Sequence, residues 1–169
     1  MHVHKYEKLW LVAALLLIVG FVATITYGAV GAGVAMVDDS GGTIDANTIG
    51  DDENFGDPGV VKTGENEYAA YVVAQQFSFR PDPIRVPAGS EVTFYVTSPD
   101  VIHGFEIVGT NANAMVVPGQ VSEITVQFSE QSEPKEYGVL CNEYCGSAHH
   151  TMEGKIVVVP QSEWEGGDA

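Results

Sequence analysis

The first apolar stretch of the chain is a long run without charge. From Leu9 to Val37 no residue is charged over 29 positions, and about 20 apolar residues are enough for a helix to cross a bilayer. Trp10 and Tyr27 lie towards the two ends of the run, where aromatic side chains meet the membrane–water interface. The pattern therefore predicts a transmembrane helix over 9–37.

The residues that flank this run indicate its orientation. Lys5 and Lys8 precede it and an acidic region follows, so the positive-inside rule places the N-terminus, 1–8, in the cytoplasm and the rest outside the plasma membrane. A cleaved signal peptide is the alternative, but the apolar core of such a peptide is usually about 7–15 residues. The small residues between Gly28 and Ala35 are also suited to packing against a larger membrane partner.

Beyond the predicted helix the pattern changes twice. Residues 38–66 are dominated by Asp, Gly, Asn and Glu, which predicts an acidic linker. Short runs rich in Val, Ile, Tyr, Phe and Thr follow, separated by turn residues, and apolar and polar side chains alternate in 91–96. These runs predict a mainly β domain, a sandwich or a barrel, over 67–161. An acidic tail, 162–169, ends the chain.

Charge is distributed unevenly along the chain, whose formal net charge is −16. Residues 1–37 sum to +1, whereas the remainder carries 22 acidic residues against five basic ones and therefore −17. Such a surface argues against nucleic-acid binding, because phosphate contacts need Lys and Arg. It fits an acidic proteome of a salt-loving host, and it would also attract a basic partner, an effect that high salt screens.

The segment Cys141–Met152, which lies between two predicted strands, carries most of the chemistry. It supplies thiols from Cys141 and Cys145, an imidazole from His149 and a thioether from Met152. Sulfur together with imidazole favours copper. Zinc is the weaker alternative, because its structural sites use four Cys or His ligands and have no use for a thioether.

The number of thiols separates two kinds of copper site. A mononuclear blue-copper site uses one Cys, two His and a weak axial ligand, so a second thiol predicts two sulfurs that bridge two ions. His103, far upstream, is a candidate for a further imidazole, and the spacing favours His149 over the adjacent His150. A disulfide between the two cysteines of an exported domain is the alternative, but it leaves His149 and Met152 unexplained.

At these residues the chain resembles cytochrome c oxidase subunit II, the copper A subunit, over most of the stretch from Val60 to Pro160. The family motif C-x3-C-x3-H-x2-M is formed here by Cys141, Cys145, His149 and Met152. A second family motif is the run SPDVIHGF at 98–105. The single anchor resembles the short subunit II of B-family haem-copper oxidases. The resemblance implies a cupredoxin-like Greek-key β-sandwich preceded by one transmembrane helix.

The resemblance also implies a dinuclear copper centre and its partners. Its ligands would be Cys141 and Cys145 as bridges, His103 and Met152 on one copper, and His149 with the backbone carbonyl of Glu143 on the other. Electrons would arrive from an extracytoplasmic donor, a cytochrome c or a blue-copper protein. They would leave for haem in subunit I, where oxygen is reduced to water.

Three further roles follow from the family pattern. Phe77 stands near the aromatic electron-entry position of the family, and the alternative is that Phe77 and Phe79 are ordinary core residues. Asp100 is expected to support His103, to contact a docking partner, or simply to form a turn. The carboxylate of Glu143 is a candidate ligand for Mg²⁺ at the interface with subunit I.

Four other functions compete with this reading. A membrane-anchored mononuclear cupredoxin would have no use for the second thiol. The copper A domain of a nitrous-oxide reductase is accompanied by a large additional domain. A disulfide-stapled structural or adhesion domain belongs to a different class. A quinol-oxidase subunit II has the same fold but lacks the copper ligands, so Cys141 and Cys145 argue against it.

Overall fold

The computed structural model describes residues 4–31, 41–164 and 166. Its N-terminal unit is a helix, α1 (Lys5–Gly31), which is long and apolar enough to cross a membrane over Lys5–Gly28. Apolar side chains such as Trp10 are largely exposed along this helix, as a surface that faces lipid requires. The helix begins before the predicted span 9–37, whose last six residues lie outside the described part of the chain.

The second unit is a β domain, which has ten strands among the residues that the structure describes. In chain order they are β1 (Val60–Gly64), β2 (Glu67–Gln75), β3 (Ser78–Arg80), β4 (Ile84–Pro87), β5 (Glu91–Thr97), β6 (His103–Ile107), β7 (Asn113–Val116), β8 (Ser122–Gln127), β9 (Lys135–Leu140) and β10 (Glu153–Val159). They form two sheets. One has the order β1-β2-β5-β8 with β3 beside β2, and the other has the order β4-β10-β9-β6-β7.

The two sheets bury their facing side chains in a shared core, as in a sandwich. The alternation predicted in β5 is present, because Val92, Phe94 and Val96 are buried while the residues between them are half-buried. The ring of Phe94 lies 5.6 Å from that of Phe105 on β6, and Phe105 lies 5.7 Å from Phe79 on β3. Aromatic residues from both sheets therefore hold the centre of the core together.

The segment 41–59 differs from the linker predicted over 38–66. It contains a 3₁₀ helix, Ile49–Asp51, and buries Ile49 and Phe55. The ring of Phe55 packs edge-on against Tyr71 of β2 at 5.4 Å. A few apolar side chains in a polar stretch thus order it against the first sheet.

Both predicted boundaries of the β domain differ from the structure. At the N-terminal side β1 lies within the predicted linker, where Val60 pairs with Ala70 of β2. At the other end Trp164, in the predicted tail, packs edge-on against Tyr68 at 5.6 Å. Of the predicted tail, 162–169, the structure describes 162–164 and Gly166.

Candidate metal centre

The Cys141–Met152 loop connects two antiparallel strands at one end of the second sheet. Leu140 of β9 pairs with Glu153 of β10, and the backbone N–H of Cys141 donates to the carbonyl of Met152 at 3.2 Å. The first and last residues of the loop are therefore held opposite each other. Cys141 and Met152, at opposite ends of the loop, therefore lie close to each other in the site.

His103 reaches the same end of the sheet because β6 pairs antiparallel with β9. Glu106 lies opposite Leu140, so the start of β6 runs beside the start of the loop. Gly104 permits this approach, since a Cβ there would lie 2.7 Å from the backbone nitrogen of Asn142. The N–H of Gly104 also donates to the sulfur of Cys141 at 3.4 Å.

Cys141 lies next to three of the other donor groups predicted from the sequence. Its Sγ atom is 3.8 Å from Sγ of Cys145 and 3.8 Å from Nδ1 of His103. The backbone carbonyl of Glu143 lies 3.2 Å from the same sulfur. The structure thus brings together a thiol pair, an imidazole and a carbonyl oxygen.

Cys145 completes the group from the other side. Its Sγ atom lies 3.7 Å from Nδ1 of His149 and 3.6 Å from Sδ of Met152. Each thiol therefore has its own imidazole neighbour. His150, the alternative to His149 in the sequence, is exposed.

The donor atoms are largely shielded from water. His103 is fully buried, and Met152, Cys145 and Cys141 expose 2%, 3% and 7% of their surfaces. Burial first, and then the neighbouring thiol of Cys141, raise the pKa of Cys145 to about 11. A metal ion must therefore displace a thiol proton in order to bind.

The donor set fits a soft metal. Both cysteines are free thiols, and with His103 they hold their ligand atoms within 4.8 Å of one another. An ion at about 2.3 Å from a thiolate, the distance usual for zinc–sulfur bonds, can contact both sulfurs across their 3.8 Å separation. Two thiols, two imidazoles and a thioether are the ligands that copper prefers.

Asp100 lies directly behind His103. One oxygen of its carboxylate lies 2.8 Å from Nε2 of His103, which leaves Nδ1 facing the sulfur of Cys141. Partial burial acts to raise the pKa of Asp100, but hydrogen bonds from Gln76, His103, Val101 and Ser98 outweigh it and hold the pKa below its ordinary value. The carboxylate is therefore charged, and it is hydrogen-bonded to the ring of His103.

The two phenylalanines near the site have different environments. Phe79 is 2% exposed and belongs to the core. Phe77 is half-buried, and its ring lies 3.1 Å from the position that a Cβ on Gly146 would occupy. Of the two, only Phe77 combines partial exposure with a position against the Cys141–Met152 loop.

Two residues at the site were not singled out from the sequence. Tyr144 is 79% exposed, and its ring lies 5.8 Å from that of His149. Gln76 donates from its side-chain amide to the carbonyl of Cys145. The position of Tyr144 between the two cysteines indicates that it lies beside the site, whereas nothing in the sequence around Gln76 indicates a contact 69 residues away.

Comparison with known proteins points to one family. A family model described as cytochrome C oxidase subunit II, periplasmic domain, matches residues 69–160. Cytochrome c oxidase subunit 2 of Thermus thermophilus is 43% identical over 162 residues, which cover 90% of this chain and 91% of that protein. A heme-copper oxidase subunit 2 of Aeropyrum pernix is 33% identical over 79 residues, 47% of this chain and 33% of that protein.

Solved structures give the same result. A chain in the cryo-EM structure of a heme-copper terminal oxidase dimer matches with a TM-score of 0.68 and 33% identity, covering 91% of this chain and 99% of that one. The periplasmic domain of subunit II of cytochrome oxidase from Bradyrhizobium japonicum matches with a TM-score of 0.51 and 20% identity, covering 57% of this chain and 86% of that one, which concerns the fold alone. The predicted cupredoxin-like β-sandwich after one apolar N-terminal helix is confirmed.

Proposed function

The chain belongs to the cytochrome c oxidase subunit II family, and on this premise we propose that His103 and the Cys141–Met152 loop hold a dinuclear copper centre. The family resemblance of the sequence motifs is confirmed, and the chain is an electron-transfer subunit of a haem-copper oxidase. Its apolar helix makes it a membrane-anchored subunit. The family implies copper as the metal.

The observation that carries the dinuclear assignment is the pair of free thiols with an imidazole beside each. A mononuclear site would use one thiolate, whereas here both sulfurs are buried and 3.8 Å apart. We assign Cys141 and Cys145 as bridges. In this assignment His103 and Met152 complete one copper, and His149 and the carbonyl of Glu143 complete the other.

Two copper ions held by these residues would supply one-electron redox chemistry. The protein's part is to keep the donor atoms in one arrangement. The Cys141 N–H to Met152 carbonyl bond closes the loop, and Asp100 fixes the ring of His103. Burial of His103, Cys141, Cys145 and Met152 keeps water away from the site. In this proposal the centre relays electrons, and the oxygen chemistry belongs to a partner subunit.

Electron entry is assigned to Phe77. The ring is half-buried and lies against Gly146 of the ligand loop, so it connects the surface to the centre by packed atoms. The donor is a cytochrome c or a blue-copper protein outside the cytoplasm. The net charge of −17 beyond residue 37 favours a basic donor at low ionic strength. The acceptor in this scheme is haem in subunit I.

Orientation follows from the charges that flank the helix. Lys5 and Lys8 keep the N-terminus in the cytoplasm, and the acidic β domain lies on the outer side of the plasma membrane. A protease added to intact cells is expected to cleave the β domain and to spare a tag at the N-terminus. Cleavage of the N-terminal tag alone would show that the orientation is the opposite of the proposed one.

Glu143 has a second assignment through its side chain. Its carbonyl faces the thiols, Glu143 as a whole is half-buried, and its carboxylate would bind Mg²⁺ at the interface with subunit I. In the purified oxidase, Glu143→Gln is expected to lower the magnesium content and to leave the copper content unchanged. Equal magnesium contents of the parent and the variant would show that the carboxylate of Glu143 does not bind Mg²⁺.

The dinuclear centre is tested by loading the full chain, in detergent and with reduced thiols, with copper. We expect two coppers per chain and an EPR spectrum split by two equivalent copper nuclei. A spectrum from a single nucleus would point to a mononuclear cupredoxin. Absence of copper uptake, with the thiols oxidised, would favour a disulfide-stapled domain.

A further inference from the structure

We propose that Gln76 is a positioning residue that fixes the Cys141–Met152 loop relative to His103. Gln76 lies in the turn between β2 and β3, on the first sheet, whereas the ligands belong to the second. The inference rests on the proposed copper site and adds to it a residue that touches no ligand atom. Its side chain and its backbone make separate contacts to the two segments.

The side chain of Gln76 holds the Cys141–Met152 loop. Its amide nitrogen donates to the backbone carbonyl of Cys145. The following residue, Gly146, has a φ of +135°, and a Cβ there would lie 2.8 Å from the same amide nitrogen. The amide is therefore packed directly on the turn that leads from Cys145 to His149, and it restrains the peptide between two ligands.

The backbone of Gln76 holds His103 through Asp100. The N–H of Gln76 donates to one carboxylate oxygen of Asp100 at 2.8 Å, and the other oxygen lies 2.8 Å from Nε2 of His103. Each substitution at position 76 other than proline keeps this N–H. Variants of Gln76 therefore remove the contact to Cys145 and leave the contact to Asp100 in place.

The chemistry of the contact determines which replacements are informative. The carbonyl of Cys145 needs a donor, which the amide of Gln76 provides. A glutamate has nearly the same shape but offers only acceptor oxygens when it is ionised. Gln76→Glu and Gln76→Ala therefore both remove the hydrogen bond, and the first of them retains most of the packing.

The test uses the full chain in detergent, metal-free and with reduced thiols, and measures amide hydrogen exchange in the loop. The informative amides are those of His149 and Met152, whose acceptors, Gly146 and His149, lie within the loop. We expect exchange to be about fivefold faster in Gln76→Ala and Gln76→Glu, the factor that corresponds to one ordinary hydrogen bond.

Gln75→Ala is the matched control, because it removes the same kind of side chain one position earlier, on β2. We expect loop exchange in this variant to equal that of the parent. Equal exchange in Gln76→Ala, Gln76→Glu and Gln75→Ala would overturn the proposal. A uniform rise in exchange across the β domain would also overturn it, since that result indicates a general structural role.

A second measurement uses the copper-loaded chain. We expect Gln76→Ala to retain two coppers and to change the hyperfine splitting and the sulfur-to-copper absorption band, whereas Gln75→Ala leaves both unchanged. Spectra identical to the parent's in both Gln76 variants would contradict the proposal. If the parent itself fails to bind copper, the proposed function fails, and loop exchange in the metal-free chain still decides the role of Gln76.

Discussion

Two segments of the β domain are ordered without being strands, and they are ordered by different means. The Cys141–Met152 loop is held by hydrogen bonds, a strand pair and the burial of its sulfur atoms. The segment 41–59 buries the apolar side chains of Ile49 and Phe55 against the first sheet, and backbone hydrogen bonds, such as the one from Ile44 to the carbonyl of Gly119, tie it to the domain. The loop carries the candidate metal ligands, and the segment 41–59 covers one face of the first sheet.

The difference explains why the sequence indicated one segment and not the other. A metal-binding loop needs particular residue types at particular spacings, so its pattern can be recognised in the sequence. Two apolar residues in a stretch rich in Asp and Gly do not stand out, because such a composition is also typical of linkers. The comparison predicts that damage to one segment leaves the other intact.

The largest effect is expected from Cys145→Ser. The change removes one of the two thiolates, so copper should fall from two ions per chain to one and the shared-valence EPR signal should disappear. Segment 41–59 is expected to stay folded, as measured by its amide exchange. Ser147→Ala, at an exposed position of the same loop, serves as the control. A shared signal in Cys145→Ser would show that the bridging assignment is wrong.

Phe55→Ala tests the other segment. Loss of a buried ring packed on Tyr71 should lower the free energy of unfolding by about 3 kcal/mol, as measured by chemical denaturation of the full chain. The copper spectrum should be unchanged, because Phe55 is not part of the cluster that contains the cysteines. Glu53→Ala, an exposed neighbour, is the control. A change in the spectrum would contradict the independence of the two segments.

Gly104→Ala tests how closely the His103 strand approaches the loop. The added Cβ would collide with Asn142, so the free energy of unfolding should fall by about 2 kcal/mol. Copper binding should weaken as His103 moves away from Cys141. Gly138→Ala is the control, because its Cβ would meet Val108 at an ordinary 3.4 Å. Equal stability of both variants would argue against a close approach at Gly104.

Asp100→Asn is expected to have the smallest effect. Asparagine has one acceptor oxygen in place of two, so either the Gln76 N–H or the His103 ring loses its partner. Denaturation should show a loss of about 1 kcal/mol, and the EPR hyperfine splitting should change because the imidazole is less well oriented. Asp57→Asn, at an exposed position, should change neither quantity. An unaltered EPR spectrum for Asp100→Asn would show that Asp100 does not orient His103 and serves only to form the turn.

Much of the β domain and most of the candidate site could be derived from the chain alone. The alternation in 91–96 predicted the buried face of β5, since strand side chains point to opposite faces in turn. The spacing of Cys141, Cys145, His149 and Met152 predicted one ligand set, because these residues share a single loop. In both cases the information is local, within a few residues of backbone.

The remaining features depend on contacts between distant parts of the chain. Pairing of β6 with β9 brings His103 to the thiols, and packing of the two sheets brings Gln76 to Cys145. The order of segment 41–59 likewise depends on a sheet face that other residues build. Local patterns specify which face of a strand is buried and which residues can bind a metal. The partners that meet across the fold are selected by strand register and close packing, which no short stretch of sequence contains.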